Sequence, residues 1–157
     1  MKNKITSLKF LTEVCKSLKK KKKKIVFTNG CFDIIHRGHV SYLNQAKKAG
    51  DILIVGLNKD ISIRRIKGPL RPINNENDRA FVLAALEMID YIVMFADDTP
   101  LKLIESLRPD ILVKGSDWAL NDIVGKDILD SYGGKIKRIK LVRGRSTTNV
   151  IDRIKNG

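Results

Sequence analysis

Four short apolar, largely β-branched runs punctuate the chain: Ile25-Val26-Phe27, Ile52-Leu53-Ile54-Val55, Tyr91-Ile92-Val93-Met94-Phe95 and Ile111-Leu112-Val113. A weaker fifth run spans Ile136 to Val142, with Ile136, Ile139 and Leu141 as its apolar members. Near-continuous apolar runs suit strands covered on both faces, which is how the strands of a parallel sheet read.

Helical periodicity fills the intervals. Val40, Leu43, Ala46 and Ala49 line one face, and Gly50 stands where a C-terminal cap belongs. Ala80 to Ile89 is dense in helix formers, with Asn and Asp residues upstream to cap it. Asp98-Thr99-Pro100 starts a helix carrying Leu101, Ile104 and Leu107. Ser146-Thr147-Thr148 precedes a last short helix with Val150, Ile151 and Ile154. Residues 5–18 read as an amphipathic leader helix, with Ile5, Leu8, Leu11, Val14 (or Cys15) and Leu18 on one side. Strand–helix alternation predicts βαβ units: a single α/β domain with a Rossmann-like open parallel sheet of about five strands, flanked by helices. Residues 58–78 lack clear periodicity and are rich in Lys, Arg, Asn, Gly and Pro, the pattern of a functional loop or lid.

A chain of 157 residues with 43% hydrophobic content holds one packed core, which excludes a disordered tail, a disulfide-stapled mini-protein and a multidomain assembly. No apolar run approaches the roughly 18 residues of a membrane span. The basic N-terminus has no apolar stretch before its lysines, so no secretory signal is expected. Cys15 and Cys31 lack metal-ligand spacing, and reduced thiols in a cytoplasm are the expectation. The net charge is +14, of which Lys19 to Lys24 contribute six in one block. Such an excess fits nucleic acid, an anionic surface or small polyanionic substrates. Only 6% of residues are aromatic, which argues against a base-stacking nucleic-acid platform. The lysine block itself reads as a solvated connection; a basic protein that binds nucleic acid or an anionic surface is the alternative of a different class.

The chain has two histidines, and both lie in His36-Arg37-Gly38-His39, after the first strand and the loop Thr28-Asn29-Gly30-Cys31-Phe32-Asp33. Ligands of open α/β sheets bind beyond the carboxyl ends of strands, where helices start. A helix N-terminus offers free N–H groups and a partial positive charge, a seat for phosphate. Gly30 and Gly38 permit close backbone approach, and two imidazoles add side-chain donors. The competing reading makes both histidines surface residues at a helix start. A zinc site lacks a third ligand at the right spacing.

Residues 28–39 resemble the signature of the HxGH nucleotidyltransferases, which include cytidylyltransferases and pantetheine-phosphate adenylyltransferase. Ser146-Thr147-Thr148 after Gly144 is similar to the second signature of the cytidylyltransferase-like branch. Ile66-Lys67-Gly68, Arg71-Pro72-Ile73-Asn74, Val113-Lys114-Gly115 with Asp117-Trp118, and Gly133-Gly134-Lys135 resemble the heptose 1-phosphate adenylyltransferase domain of ADP-heptose synthase. That resemblance runs over nearly the whole chain, read as a leader and lysine-rich connection (1–24) and a catalytic core (25–157). Many members carry this domain fused to a sugar kinase, so a stand-alone transferase with a separate kinase is the expectation here.

The resemblance implies transfer of AMP from ATP to a heptose 1-phosphate, with Mg²⁺ carried on the triphosphate and held by few protein ligands. A CTP-dependent transferase, such as a glycerol-3-phosphate cytidylyltransferase, is the runner-up. The implied catalytic residues are His36, His39 and Lys67. Thr28, Asn29, Gly30, Cys31, Phe32, Gly38, Lys114, Gly115, Asp117, Ser146, Thr147 and Thr148 fall to the nucleotide. Asp33, Arg64, Arg71, Arg79 and Trp118 fall to the acceptor side. The bland counterparts are a helix-entry cap for Asp33, a surface ion pair with Asp78 or Glu76 for Arg79, and a core or interface position for Trp118. Plain N-capping explains one of the three hydroxyls at 146–148, not all. Leu141 occupies a place where some cytidylyltransferases carry arginine, while Arg143 and Arg145 flank Gly144; this weakens the CTP reading more than the ATP one. Family members tend to be homodimers or larger.

Overall fold

The computed structural model describes residues 4–156. Five strands, β1 (Ile25–Gly30), β2 (Ile52–Asn58), β3 (Tyr91–Phe95), β4 (Ile111–Gly115) and β5 (Lys135–Ile139), form one sheet in the order β3-β2-β1-β4-β5. Every pairing is parallel. The helices are α1 (Leu8–Lys20), α2 (Arg37–Lys47), α3 (Asp60–Lys67), α4 (Glu76–Ala85), α5 (Leu101–Leu107), α6 (Lys126–Ser131) and α7 (Thr147–Asn156), with one 3₁₀ turn at Leu120–Asp122. This is the Rossmann-like α/β domain that the alternation implied. No described helix is long and apolar enough to cross a membrane.

The period-2 alternation of each strand divides the core between the two faces of the sheet. Ile25 and Phe27 of β1 join Leu11 and Cys15 of α1, Leu103 and Leu107 of α5, and Leu129 of α6. Val26 points the other way, into Leu43 and Ala46 of α2 and Ala80 and Leu83 of α4. All of these are buried, and each large apolar side chain removed from water stabilises the fold by about 1.5–3 kcal/mol. From β1 the chain builds outward to β2 and β3, then crosses back to add β4 on β1's other side. The reversal opens a crevice at the carboxyl ends of β1 and β4, where ligands of such sheets bind.

Several local expectations are corrected. The stretch 58–78 contains α3, whose first turn is capped from a distance: Asp60 N–H donates to the Glu76 carboxylate at 2.9 Å. The helix expected over 80–89 begins at Glu76, where the Asn75 side chain accepts from the N–H groups of Asn77 and Asp78. Ile5 is not helical but pairs with Ile92 in a parallel bridge that covers the β3 edge; α1 starts after its N-cap Ser7. Gly50 lies beyond the end of α2, and its role is close approach: a Cβ there would fall 2.7 Å from Val26 Cγ2 and 2.9 Å from the Lys24 carbonyl. The fifth strand stops at Ile139, and α6 has no counterpart in the sequence reading.

Candidate active site

β1 delivers the chain to the crevice, and the loop after it is built around a strained residue. Phe32 is buried with φ of 45°, a left-handed conformation that non-glycine residues rarely adopt. Its ring lies where a Cβ on Gly30 would be 3.0 Å away, and it meets the His39 ring edge-to-face at 5.4 Å. Phe32 therefore fixes one wall of an imidazole. The other wall is His36, stacked on His39 at 3.9 Å between ring centres.

His36 is the N-cap of α2, its Nδ1 accepting the Gly38 N–H at 3.1 Å. An acceptor at Nδ1 places the proton of the neutral ring on Nε2. That Nε2 is buried without a partner, and so is Nδ1 of His39. Buried polar atoms of native proteins are ordinarily paired, so two orphans side by side at a helix N-terminus mark a place for a ligand. Burial, followed by the charge of Arg145, lowers the His36 pKa. Burial, His36 and Lys67 together bring His39 down to about 4, against a smaller opposing effect of the Ile34 carbonyl. Both rings are thus uncharged at neutral pH.

The second signature comes to the same place from 110 residues downstream in the chain. Thr147 Oγ1 is 3.5 Å from the Ile34 carbonyl. A Cβ on Gly38 would sit 2.9 Å from His36 Cε1 and 3.3 Å from Arg145 Cβ, so Gly38 is what lets the imidazole and the segment before α7 close together. Ser146 is the plain cap of the three hydroxyl residues, its Oγ accepting from Asn149 N–H at 3.0 Å. Of the two arginines that flank Gly144, Arg145 is the one whose charge is felt at His36.

A second group gathers at the end of β4. The Lys114 ammonium donates to Asn29 Oδ1 of neighbouring β1 and lies 5.8 Å from the centre of the half-exposed Trp118 ring. No described carboxylate pairs with Lys114, and burial pulls its pKa down to about 8. Gly115 makes room for the Asp117 carboxylate, which folds back over it.

Four residues expected to touch ligands are tied into the scaffold. Thr28 is fully buried, its Oγ1 2.8 Å from Tyr42 Oη, with both hydroxyls 3.1 Å from the Val113 carbonyl; it braces β1, α2 and β4. Asp33, with a side chain 1% exposed, accepts from Arg71 Nε at 2.8 Å and from the N–H groups of Ile73 and Asn74 at 2.9 Å. Burial alone would raise its pKa; these donors more than compensate and hold it below the ordinary carboxylate range. Arg71 is the partner in that clasp, which straps residues 71–74 to the histidine loop. Arg79 is no surface residue. It is 1% exposed and donates to the carbonyls of Cys31, Asn58 and Asn74 and to Asp60 Oδ1. Arg64 is exposed on α3, whereas the charge of Lys67, at the end of that helix, is felt at both His39 and Cys31.

The comparisons agree with this geometry. The description "Cytidylyltransferase-like" matches residues 27–153, from the middle of β1 into α7. The chain belongs to the cytidylyltransferase-like family. It is 55% identical over 152 residues to the "Bifunctional protein HldE" of Syntrophotalea carbinolica and 54% identical over 151 residues to that of Geobacter metallireducens. These alignments cover 97% and 96% of the chain but 31% of each relative, so the chain spans about a third of their length. Among solved structures, the lipopolysaccharide core biosynthesis protein from Thermoplasma volcanium is 28% identical, with a TM-score of 0.63, over 78% of this chain and 99% of that one. Pantothenate synthetase from Thermus thermophilus, at 15% identity and a TM-score of 0.64, shares the fold. Within this cytidylyltransferase-like domain the two signatures lie on α2 and at the start of α7, at one mouth of the sheet.

Proposed function

We propose that the chain transfers AMP from ATP to a heptose 1-phosphate, giving ADP-heptose and pyrophosphate. The HldE relatives and the lipopolysaccharide core biosynthesis protein support the sugar branch of the family. The observation that carries the reading is the pair of orphaned imidazole nitrogens at the start of α2.

The chemistry asks little of acid–base groups. A phosphate monoester has a second pKa of about 6, so the acceptor is already largely dianionic at neutral pH. One of its oxygens attacks the α-phosphorus in line; the bond from that phosphorus to the bridging oxygen breaks, and pyrophosphate leaves with the electron pair. What the chain supplies is alignment of two mutually repelling anions and stabilisation of developing charge. His36 Nε2–H donates to the triphosphate, and His39 becomes a second donor once the anion raises its pKa. Gly30 to Phe32 and the hydroxyls of Thr147 and Thr148 complete the cradle. Lys67, at the end of α3, approaches the same phosphates. Lys114, Asn29, Asp117 and Trp118 line the other side of the crevice.

Among the described residues no cluster of His, Cys, Asp or Glu could hold a metal, and Asp33 and Asp60 are already paired. Mg²⁺ therefore fits as the counter-ion of the bound triphosphate rather than in a cage of protein carboxylates. We place a separate sugar kinase in the reaction sequence that makes the acceptor, and the working form as a homo-oligomer. The test is pyrophosphate release from each pairing of ATP or CTP with heptose 1-phosphate or glycerol 3-phosphate. ATP with the heptose should turn over fastest; CTP with glycerol 3-phosphate in that place would reverse the assignment.

A further inference from the structure

The lysine block has a structural partner that its sequence position hides. Lys19, Lys22 and Lys24 line a cavity of about 410 Å³ with Arg108, Asp110 and Tyr132, which come from the α5–β4 turn and the end of α6. The cavity opens at the amino ends of β1 and β4. The six residues of β1, roughly 20 Å of strand, separate it from the histidines.

Cations converge here without matching anions. The Arg108 guanidinium lies 4.4 Å from the centre of the Tyr132 ring and the Lys19 ammonium 5.7 Å from it. Lys23 is matched by Asp51 at 3.4 Å, but among the described residues Lys19, Lys22, Lys24 and Arg108 form no ion pair. Two helices end at this place, α1 and α5, and each contributes about half a negative charge. Asp110 adds one more, while its Oδ2 accepts the Ile25 N–H at 2.7 Å. Four cations against that carboxylate and two helix ends leave an excess of about two positive charges. Burial is the main cause of the lowered Lys19 pKa; the Asp110 carboxylate works against it, and the Arg108 charge adds a smaller lowering.

The backbone points the same way. Lys22 and Arg108 have φ of 56° and 45°, at the ends of α1 and α5 where glycine is the unstrained choice. Both helix ends thus carry a cation in a left-handed conformation, and both cations line one cavity.

We propose that this cavity is a second anion site that takes a small phosphate-bearing anion of at least two negative charges, such as pyrophosphate or a nucleoside diphosphate. It is independent of the active-site reading, since its residues and its end of the sheet are different.

Amide ¹H–¹⁵N spectra of the full chain, recorded while pyrophosphate is added at low and at moderate salt, test it. Saturable shifts are expected for residues 19–24, 108–110 and 132, with an affinity that weakens as salt rises. Lys22→Gln/Lys24→Gln should weaken that set at least tenfold, while shifts at residues 36–40, where product pyrophosphate also has access, remain. The thermal midpoint should hardly move, because both side chains are exposed. The same outcome at 19–24 with no response at 36–40 would sustain this site and count against the active-site assignment. Unsaturable shifts, shifts unchanged in the double variant, or a response only to anionic vesicles or long oligonucleotides would overturn the proposal.

Discussion

Replacing Arg79 by Met removes a guanidinium that ties four segments together: the loop after β1 through Cys31, the end of β2 through Asn58, the strap through Asn74, and α3 through Asp60. The Arg79 side chain is wholly buried and that of Asp60 is 16% exposed, so water cannot replace the lost bonds without opening the structure. Removing one partner of a buried ion pair costs about 3–5 kcal/mol, since the other charge stays behind unpaired. Against a total stability of about 5–15 kcal/mol this is a large share, and for a domain of this size it lowers Tm by roughly 6–20 °C. Urea unfolding followed by circular dichroism measures it, and Arg79→Lys should recover only part. If Arg79 instead bound substrate, the Met variant would keep the wild-type midpoint and show a raised KM. That result would refute the reasoning.

Gly38→Ala should separate folding from function. Alanine favours a helix by up to about 1 kcal/mol over glycine, yet its Cβ would come within 2.9 Å of the His36 ring. Tm should hold or rise while turnover falls by tenfold or more; an unchanged rate would show that the His36 position is not needed. Lys114 gives a pH dependence. Burial lowers its pKa to about 8, so the ammonium is lost above that pH, and kcat/KM, which reports the free enzyme, should decline there. Lys114→Arg stays charged and should move the decline upward; a decline that stays put would assign it to another group. Asp33→Asn removes the charge that holds Arg71 and should loosen residues 71–74, seen as faster amide exchange at Ile73 and Asn74. Unaltered exchange there would mean that the clasp is not what orders the strap.

What the sequence made legible followed from local signals. Buried strands announced themselves as apolar runs, and the position of His36 after a strand and before a helix was enough to place it at the carboxyl edge of the sheet. What it hid depended on partners far along the chain. α3 was illegible because Lys59 offers no side-chain cap and Glu76 supplies one from the next helix. Arg79 looked like any helix arginine, since nothing nearby reveals that its four acceptors converge from residues 31, 58, 60 and 74. Thr28 read as part of a ligand loop because nothing local to it shows that Tyr42 of α2 and the Val113 carbonyl take up its hydroxyl. The lysine block is solvated as read, with Lys20 to Lys24 exposed; what the sequence hid is that Arg108 comes beside it once α5 and the sheet are in place.

The chain has only two histidines, so their ring nitrogens can be followed without ambiguity by ¹⁵N spectroscopy. Titrating the protein with a non-hydrolysable ATP analogue and repeating the pH series at each step addresses the central claim. The His36 Nε2 and His39 Nδ1 resonances should shift together, and the His39 pKa should climb from about 4 as the triphosphate offsets its burial. Resonances and pKa values that stay as in the free protein, while nucleotide binds, would contradict it.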